Sequence, residues 1–257
     1  MDFYVHHINP IAFHFFGMPF AWYWLVYFCG YFLVLYSLKF IEKEYQLLSF
    51  FEFQRYLFGG FFSMLAGAKI FYILFYNFGY YLDDPSRILK IWEGGMSFHG
   101  ALIGGCLWTY FFSRKQRVSF WKYSDLVVTS IGLVLFFGRL ANFINGELAG
   151  RVSTLPWAVV FPRYSDGLAR HPSQIYEALL EGFLLFLIMW RGRKFLLEPG
   201  RQSVRFLFFY GLFRFICEFV RAPDSQIGYL LGLTIGQFYC LAMIGISFLI
   251  FTRSRNQ

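Results

Sequence analysis

Residues 210–221 read YGLFRFICEFVR, a segment apolar enough for lipid that nevertheless carries Tyr210, Arg214, Glu218 and Arg221. At about 100° per residue of helix, these four groups fall within roughly 80° of one another, on one face. Ionisable side chains inside a membrane segment are costly, so such a face turns to a bundle interior or a wet cavity and by default signals function. A structural ion pair between Arg214 and Glu218, at i and i+4, would account for two of the four. A second constellation, FFGRLANFINGELAGR at residues 136–151, ends another apolar run with Arg139, Asn142, Asn145, Glu147 and Arg151. Arg139 and Asn142 share a helix face. An arginine held by local acceptors presents a fixed fork that suits phosphate or carboxylate. A plain helix end meeting water would need neither the asparagine pair nor the acid.

A third stretch, GGMSFHGALIGG at residues 94–105, places His99 about one turn inside a helix beside Gly100, Gly104 and Gly105. The glycines allow close backbone approach. His99 is either a structural residue or, if accessible, a group that moves a proton near neutral pH. In QIYEALLEG, Gln174, Glu177 and Glu181 share one face, and the two acids read as electrostatic support for the arginines rather than as chemistry. Tyr23, in AWYWLVY, reads by itself as an interfacial aromatic. His6, His7 and His14 lie in an N-terminal arm and attract no functional claim. Cys29, Cys106, Cys217 and Cys240 all sit in apolar runs without CxxC spacing, so neither a disulfide frame nor a metal site is expected. No catalytic-triad elbow, phosphate loop, HExxH or acidic metal motif is visible, and no cofactor is expected. The pattern describes an anion-handling site, for a lipid headgroup, with a nucleophile that the protein does not supply.

The elements that must hold these residues follow from composition. Of 257 residues, 58% are hydrophobic and only 15% charged, where a soluble domain keeps about a quarter of its residues charged. Apolar segments recur around 18–38, 56–78, 96–113, 125–143, 173–190, 205–220 and 232–251, each near the roughly 20 residues that a spanning helix needs. The expected fold is an all-α integral membrane protein of about seven transmembrane helices, one polytopic domain over residues 1–257. A small outer-face cap is expected around 144–172, where LPWAVVF can form a short strand, and Ser173 is expected to cap the helix that follows. One set of loops carries Lys39, Lys43, Arg114, Lys115, Arg117, Lys122, Arg191, Arg193, Lys194, Arg201, Arg205, Arg253 and Arg255. The other carries Arg87, Lys90, Arg151, Arg163, Arg170 and Arg221. Thirteen against six predicts the N-terminus outside and the C-terminus inside. The net charge of +8 is then topology and attraction to anionic lipid, not nucleic-acid binding. MDFYVHHINP lacks a basic leader, so a cleavable signal peptide is not expected.

At GRLANFINGELAG the sequence resembles the phosphatidylglycerol–prolipoprotein diacylglyceryl transferase family. That family's signature, Gly-Arg-x-(Gly/Ala)-Asn-Phe-x-Asn-x-Glu-x-x-Gly, is met at every fixed position from Gly138 to Gly150. GGMSFHG, RHPSQIYEALLEG and YGLFRFICEFVR resemble its other blocks in the same order. The resemblance implies a seven-span enzyme of the bacterial cytoplasmic membrane with its site toward the outer face. It would move the diacylglyceryl group of phosphatidylglycerol onto the lipobox cysteine thiol of a prolipoprotein signal peptide, forming a thioether and releasing glycerol phosphate. The attacking sulfur would then be the substrate's. Arg139 and Arg214 would be the essential arginines that clamp the phosphate, with Asn142 and Glu147 fixing the geometry around Arg139 and Glu218 orienting Arg214. Asn145 belongs to the same signature. His99 would be the essential histidine, taking the thiol proton or positioning lipid. Tyr23 and Tyr210 match tyrosines of the site. Lys69, in GAKIFY, stands where the family usually has arginine; it keeps the charge and loses the bidentate fork. The cap between 152 and 170 is short beside some relatives. A transporter would instead show paired broken helices or inverted repeats, another lipid enzyme its own acyl-transfer motif, and an assembly protein would not need ionisable stripes on several helices.

Overall fold

The computed structural model describes residues 3–90, 94–222 and 229–255. Residues 91–93, between the second and third apolar segments, lie outside them, as do the side chains of Arg253 and Arg255 that entered the charge count. Among the described residues, seven helices have 17 to 27 residues: α1 Trp22–Tyr45, α2 Phe50–Tyr76, α3 Phe98–Gln116, α4 Phe120–Ile144, α5 Ser173–Arg191, α6 Arg201–Cys217 and α7 Ile235–Arg255. Each predicted apolar segment overlaps one of them. Five, α1, α2, α4, α5 and α7, are long and apolar enough to cross a membrane. α3 falls short because it ends in the polar SRKQ, and α6 because it has only 17 residues, three of them arginines. The protein is thus mostly helical and membrane-embedded in character.

The chain is not purely α-helical. Tyr4–Val5 pairs parallel with Val159–Val160, which pairs antiparallel with Ala169–Arg170, giving a three-stranded sheet. The strand expected within LPWAVVF is Val159–Val160, and the N-terminal arm supplies its unexpected partner. Two hairpins, Ile11–Phe15 with Met18–Ala21 and Tyr229–Leu230 with Leu233–Thr234, complete the strands. Ser173 does not cap α5. It is the first helical residue, Pro172 precedes it, and its Oγ donates to the carbonyl of Leu148 at 3.1 Å.

Two units divide the chain: residues 1–37 with 125–257, and residues 38–124. In the first, α1 meets α4 where the Ser37 hydroxyl donates to Ser130 Oγ at 2.6 Å. α4 meets α5 where a Cβ at Gly182 would lie 2.5 Å from Phe136 Cα. Leu185, Met189 and Phe213 form the buried core between α5 and α6. Lipid is as apolar as these side chains, so close packing and polar contacts, rather than burial as such, hold helices together in a bilayer. In the second unit, α2 and α3 approach at Gly67, Gly100 and Gly104, where any Cβ would strike a facing backbone carbonyl or Cα. The Ser63 hydroxyl seals that contact by donating to the Gly104 carbonyl at 2.9 Å.

Candidate active site

α4 ends in Arg139 and Asn142, α5 begins with Gln174, Glu177 and Glu181, and α6 ends in Arg214 just before Glu218 and Arg221. Packing α5 between the other two brings three arginines onto three glutamates. Arg139 Nε lies 2.9 Å from Glu177 Oε2, and its Nη2 lies 3.2 Å from Glu181 Oε2. Arg214 Nη1 reaches the same two acids at 3.4 and 3.5 Å, and its Nη2 donates to Glu218 Oε1 at 2.6 Å. Arg221 Nη1 donates to Glu177 Oε1 at 2.9 Å. Glu177 and Glu181 are fully buried. A carboxylate out of water needs both charge and hydrogen-bond partners, and the arginines supply them.

Glu181 sits in a wide π turn, Ala178–Leu184, within α5; such single-turn segments are frequent at functional sites. Glu218 is fixed from behind: the Thr234 hydroxyl donates to its Oε2 at 2.9 Å, and Arg151 Nη2 donates to its carbonyl at 3.0 Å. Among the described residues, Arg139 keeps Nη1 and Arg214 keeps Nε outside these bonds. Each guanidinium therefore retains donors for a further anion while its carboxylates fix its plane.

The other signature residues form an adjoining polar group. The buried Asn142 amide donates to Tyr23 Oη and to Glu147 Oε1, both at 2.8 Å. Asn145 Nδ2 approaches the same Glu147 oxygen at 3.4 Å, and Gln174 Nε2 donates to the Glu147 carbonyl at 2.7 Å. The geometry around Arg139 therefore comes from Glu177 and Glu181, whereas Asn142 and Glu147 hold one another and Tyr23. Tyr210 packs against the α5–α6 core one turn before Arg214. Thr234 gave little sequence signal, because a threonine in a hairpin is ordinary, whereas Gln174, buried beneath Glu147, was already marked by the face it shares with Glu177 and Glu181.

His99 belongs to the other unit. It is the second residue of α3, exposed, with its ring 6.3 Å from that of Phe71, and so lies in the first turn rather than one turn inside. Ser97 caps that turn, accepting from the Gly100 N–H at 3.4 Å. Lys69 is buried: its Nζ donates to Tyr81 Oη at 3.0 Å and to the Gly94 carbonyl at 3.1 Å. In the small sheet, His6 packs edge-on against Phe143, and burial lowers its imidazole below its ordinary value. Burial, and then the charge of Arg151, lowers His171 likewise.

The family described as prolipoprotein diacylglyceryl transferase matches residues 10–253. The chain belongs to this family. It is 44% identical over 241 residues to the phosphatidylglycerol–prolipoprotein diacylglyceryl transferase of Polynucleobacter asymbioticus, covering 92% of each chain. It is 43% identical to the protein of that name from Idiomarina loihiensis, over 97% of this chain and 94% of the other. With the one from Ehrlichia canis it shares 41% identity over 94% of each. The arginine–glutamate cluster thus stands in a diacylglyceryl transferase family member aligned along nearly its whole length.

Proposed function

We propose that this chain transfers the sn-1,2-diacylglyceryl group of phosphatidylglycerol to the lipobox cysteine thiol of prolipoproteins, the first step of bacterial lipoprotein maturation. The observation that carries this reading is the convergence of Arg139 and Arg214 on Glu177 and Glu181, in a chain of this family. The substrate sulfur attacks the glyceryl carbon bearing the phosphate. A C–S bond forms, the C–O bond breaks, and glycerol phosphate leaves with the bonding pair. Charge builds on the departing phosphate, and the donors left open on Arg139 and Arg214 are suited to receive it, which is the electrostatic contribution expected to dominate.

Thiols are mostly protonated at neutral pH, so the reaction needs a proton acceptor. His99 is assigned that role, and its exposure at the start of α3 leaves it reachable. Tyr23, Asn142, Asn145, Glu147, Tyr210 and Glu218 are assigned to holding substrate or the two arginines. All seven long helices are read as spans of the bacterial cytoplasmic membrane, with the N-terminus and the site on the outer side and the C-terminus inside. The thirteen-to-six distribution of Lys and Arg supports that orientation. The whole chain is read as one membrane enzyme with a small cap around 144–172.

The test mixes the purified protein with phosphatidylglycerol and a peptide carrying a lipobox cysteine, following peptide mass and released glycerol phosphate together. A diacylglyceryl mass gain with equal release is expected. It should persist when Cys29, Cys106, Cys217 and Cys240 are all replaced by serine. An unmodified peptide with intact lipid, from folded protein, would sink the reading.

A further inference from the structure

Near the turn joining α5 to α6, at the opposite end of α6 from Arg214, lies a guanidinium without an acid among the described residues. Arg205 donates from Nη2 to the Ile188 carbonyl at 3.4 Å, and its Nε is buried with no partner. No carboxylate pairs with it among the described residues. Its neighbour is a second cation: Arg201 and Arg205 both lie over the Phe195 ring, at 4.4 and 4.6 Å from its centroid. Glu198, the single acid between residues 191 and 205, is taken by Arg201. Gly192 makes the room, since a Cβ there would lie 2.7 Å from Arg205 Nη2.

The Ile188 carbonyl, near the end of α5, explains one donor of this arginine as a helix-end contact. The Phe195 and Phe209 rings, 4.6 and 5.9 Å from the guanidinium, offset part of its charge, but no acid does, and a partly desolvated cation beside another cation favours an anion. A planar fork whose Nη1 lies outside these contacts matches phosphate oxygens. The surroundings favour phosphate carried on lipid. The turn lies where α5, long and apolar enough to cross a membrane, ends and α6 begins, Leu197 beside it is 63% exposed, and basic pockets between helix ends take phospholipid headgroups. Arg205 and Arg214 are nine residues apart on α6, about 13 Å along the axis, so this is not the cluster described above.

We propose that Arg205 and Arg201, framed by Phe195 and Gly192, form a second anion site that binds a phosphate group, on an anionic phospholipid headgroup or free in solution. The proposal does not rest on the transferase reading.

The test measures the melting temperature of the full-length protein in phosphatidylcholine micelles, with added phosphatidylserine or with inorganic phosphate. Phosphatidylserine replaces phosphatidylglycerol so that the proposed reaction's own substrate does not enter. Phosphatidylserine is expected to raise the midpoint by several degrees, and Arg205→Gln to remove at least half of that rise while Arg205→Lys retains part of it. An equal rise with inorganic phosphate, lost in Arg205→Gln, would assign the site to free phosphate. Should Arg205→Gln fail to fold, Arg201→Gln, whose side chain is 39% exposed, reads the same shift. The proposal is overturned if phosphatidylserine and phosphate both leave the midpoint where phosphatidylcholine puts it. It is equally overturned if the folded glutamine variant keeps the whole rise.

Discussion

Glu177 Oε2 lies 2.9 Å from Arg139 Nε, tying the first turn of α5 to the last turns of α4, and the same carboxylate also receives Arg214 and Arg221. One buried acid therefore sets the positions of three arginines that arrive from two segments of the chain, Arg139 from α4 and Arg214 and Arg221 from the end of α6 and just past it. Glu177→Gln should leave those cations partly uncompensated, at a cost of about 3–5 kcal/mol, the scale for breaking a buried pair. Glu181→Gln, which loses contact with two arginines rather than three, should cost less. Denaturation midpoints of the two variants beside the wild type check the order; equal midpoints would contradict it.

Arg139→Ala and Arg214→Ala should each reduce kcat by about 10²–10³, on the scale of removing one oxyanion donor. Arg214→Lys should fall between wild type and alanine, because a lysine keeps the charge without the fork. Steady-state kinetics with phosphatidylglycerol and a lipobox peptide decide this, and an undiminished kcat would remove the altered arginine from the chemistry.

His99 is exposed, with ring contacts to Phe71 and Phe98 at 6.3 and 6.1 Å. His99→Gln should therefore leave the melting temperature unchanged while lowering turnover by roughly 10²–10⁴, the range for losing a general base. Near-normal rates in the folded variant would end its assignment.

Gly104→Ala probes the α2–α3 contact, where the new methyl would meet the Ser63 carbonyl. Backbone cannot retreat as a side chain can, so the helices must separate, costing about 1–3 kcal/mol. Gly79→Ala, with open space around its Cα, is the control and should be nearly neutral in this respect.

Burial holds His6 and His171 below the ordinary imidazole value of 6.5. The unfolded chain then binds more protons than the folded one between that lowered value and 6.5, so stability rises with pH across this window. The contribution is complete above 6.5 and is lost as pH falls through the window. Melting temperatures from pH 5 to 8 should show the slope, and His6→Phe should flatten its share; an unchanged slope would exclude His6.

How much of this was legible beforehand depended on where each contact lay along the chain. The Arg214–Glu218 pair, four residues apart on one helix, could be read from spacing alone, since helix geometry fixes which residues share a face. The membrane class, the seven helical segments and the family also lie in the sequence, because apolar runs and a thirteen-position signature are local. The small sheet was only half legible: Val159–Val160 is marked by its β-branched residues, but its partner Tyr4–Val5 lies over 150 positions away, and pairing leaves no local trace.

The same division holds at the site. Sequence determined which charges the membrane segments carry, and that they are too costly to face lipid. Glu177 and Glu181 read from sequence as support for the arginines in general, and tertiary structure decided that Arg139 in particular turns to them rather than to Asn142 and Glu147. That choice depends on α5 packing between α4 and α6, and buried charges take whichever opposite charges the packing brings within reach.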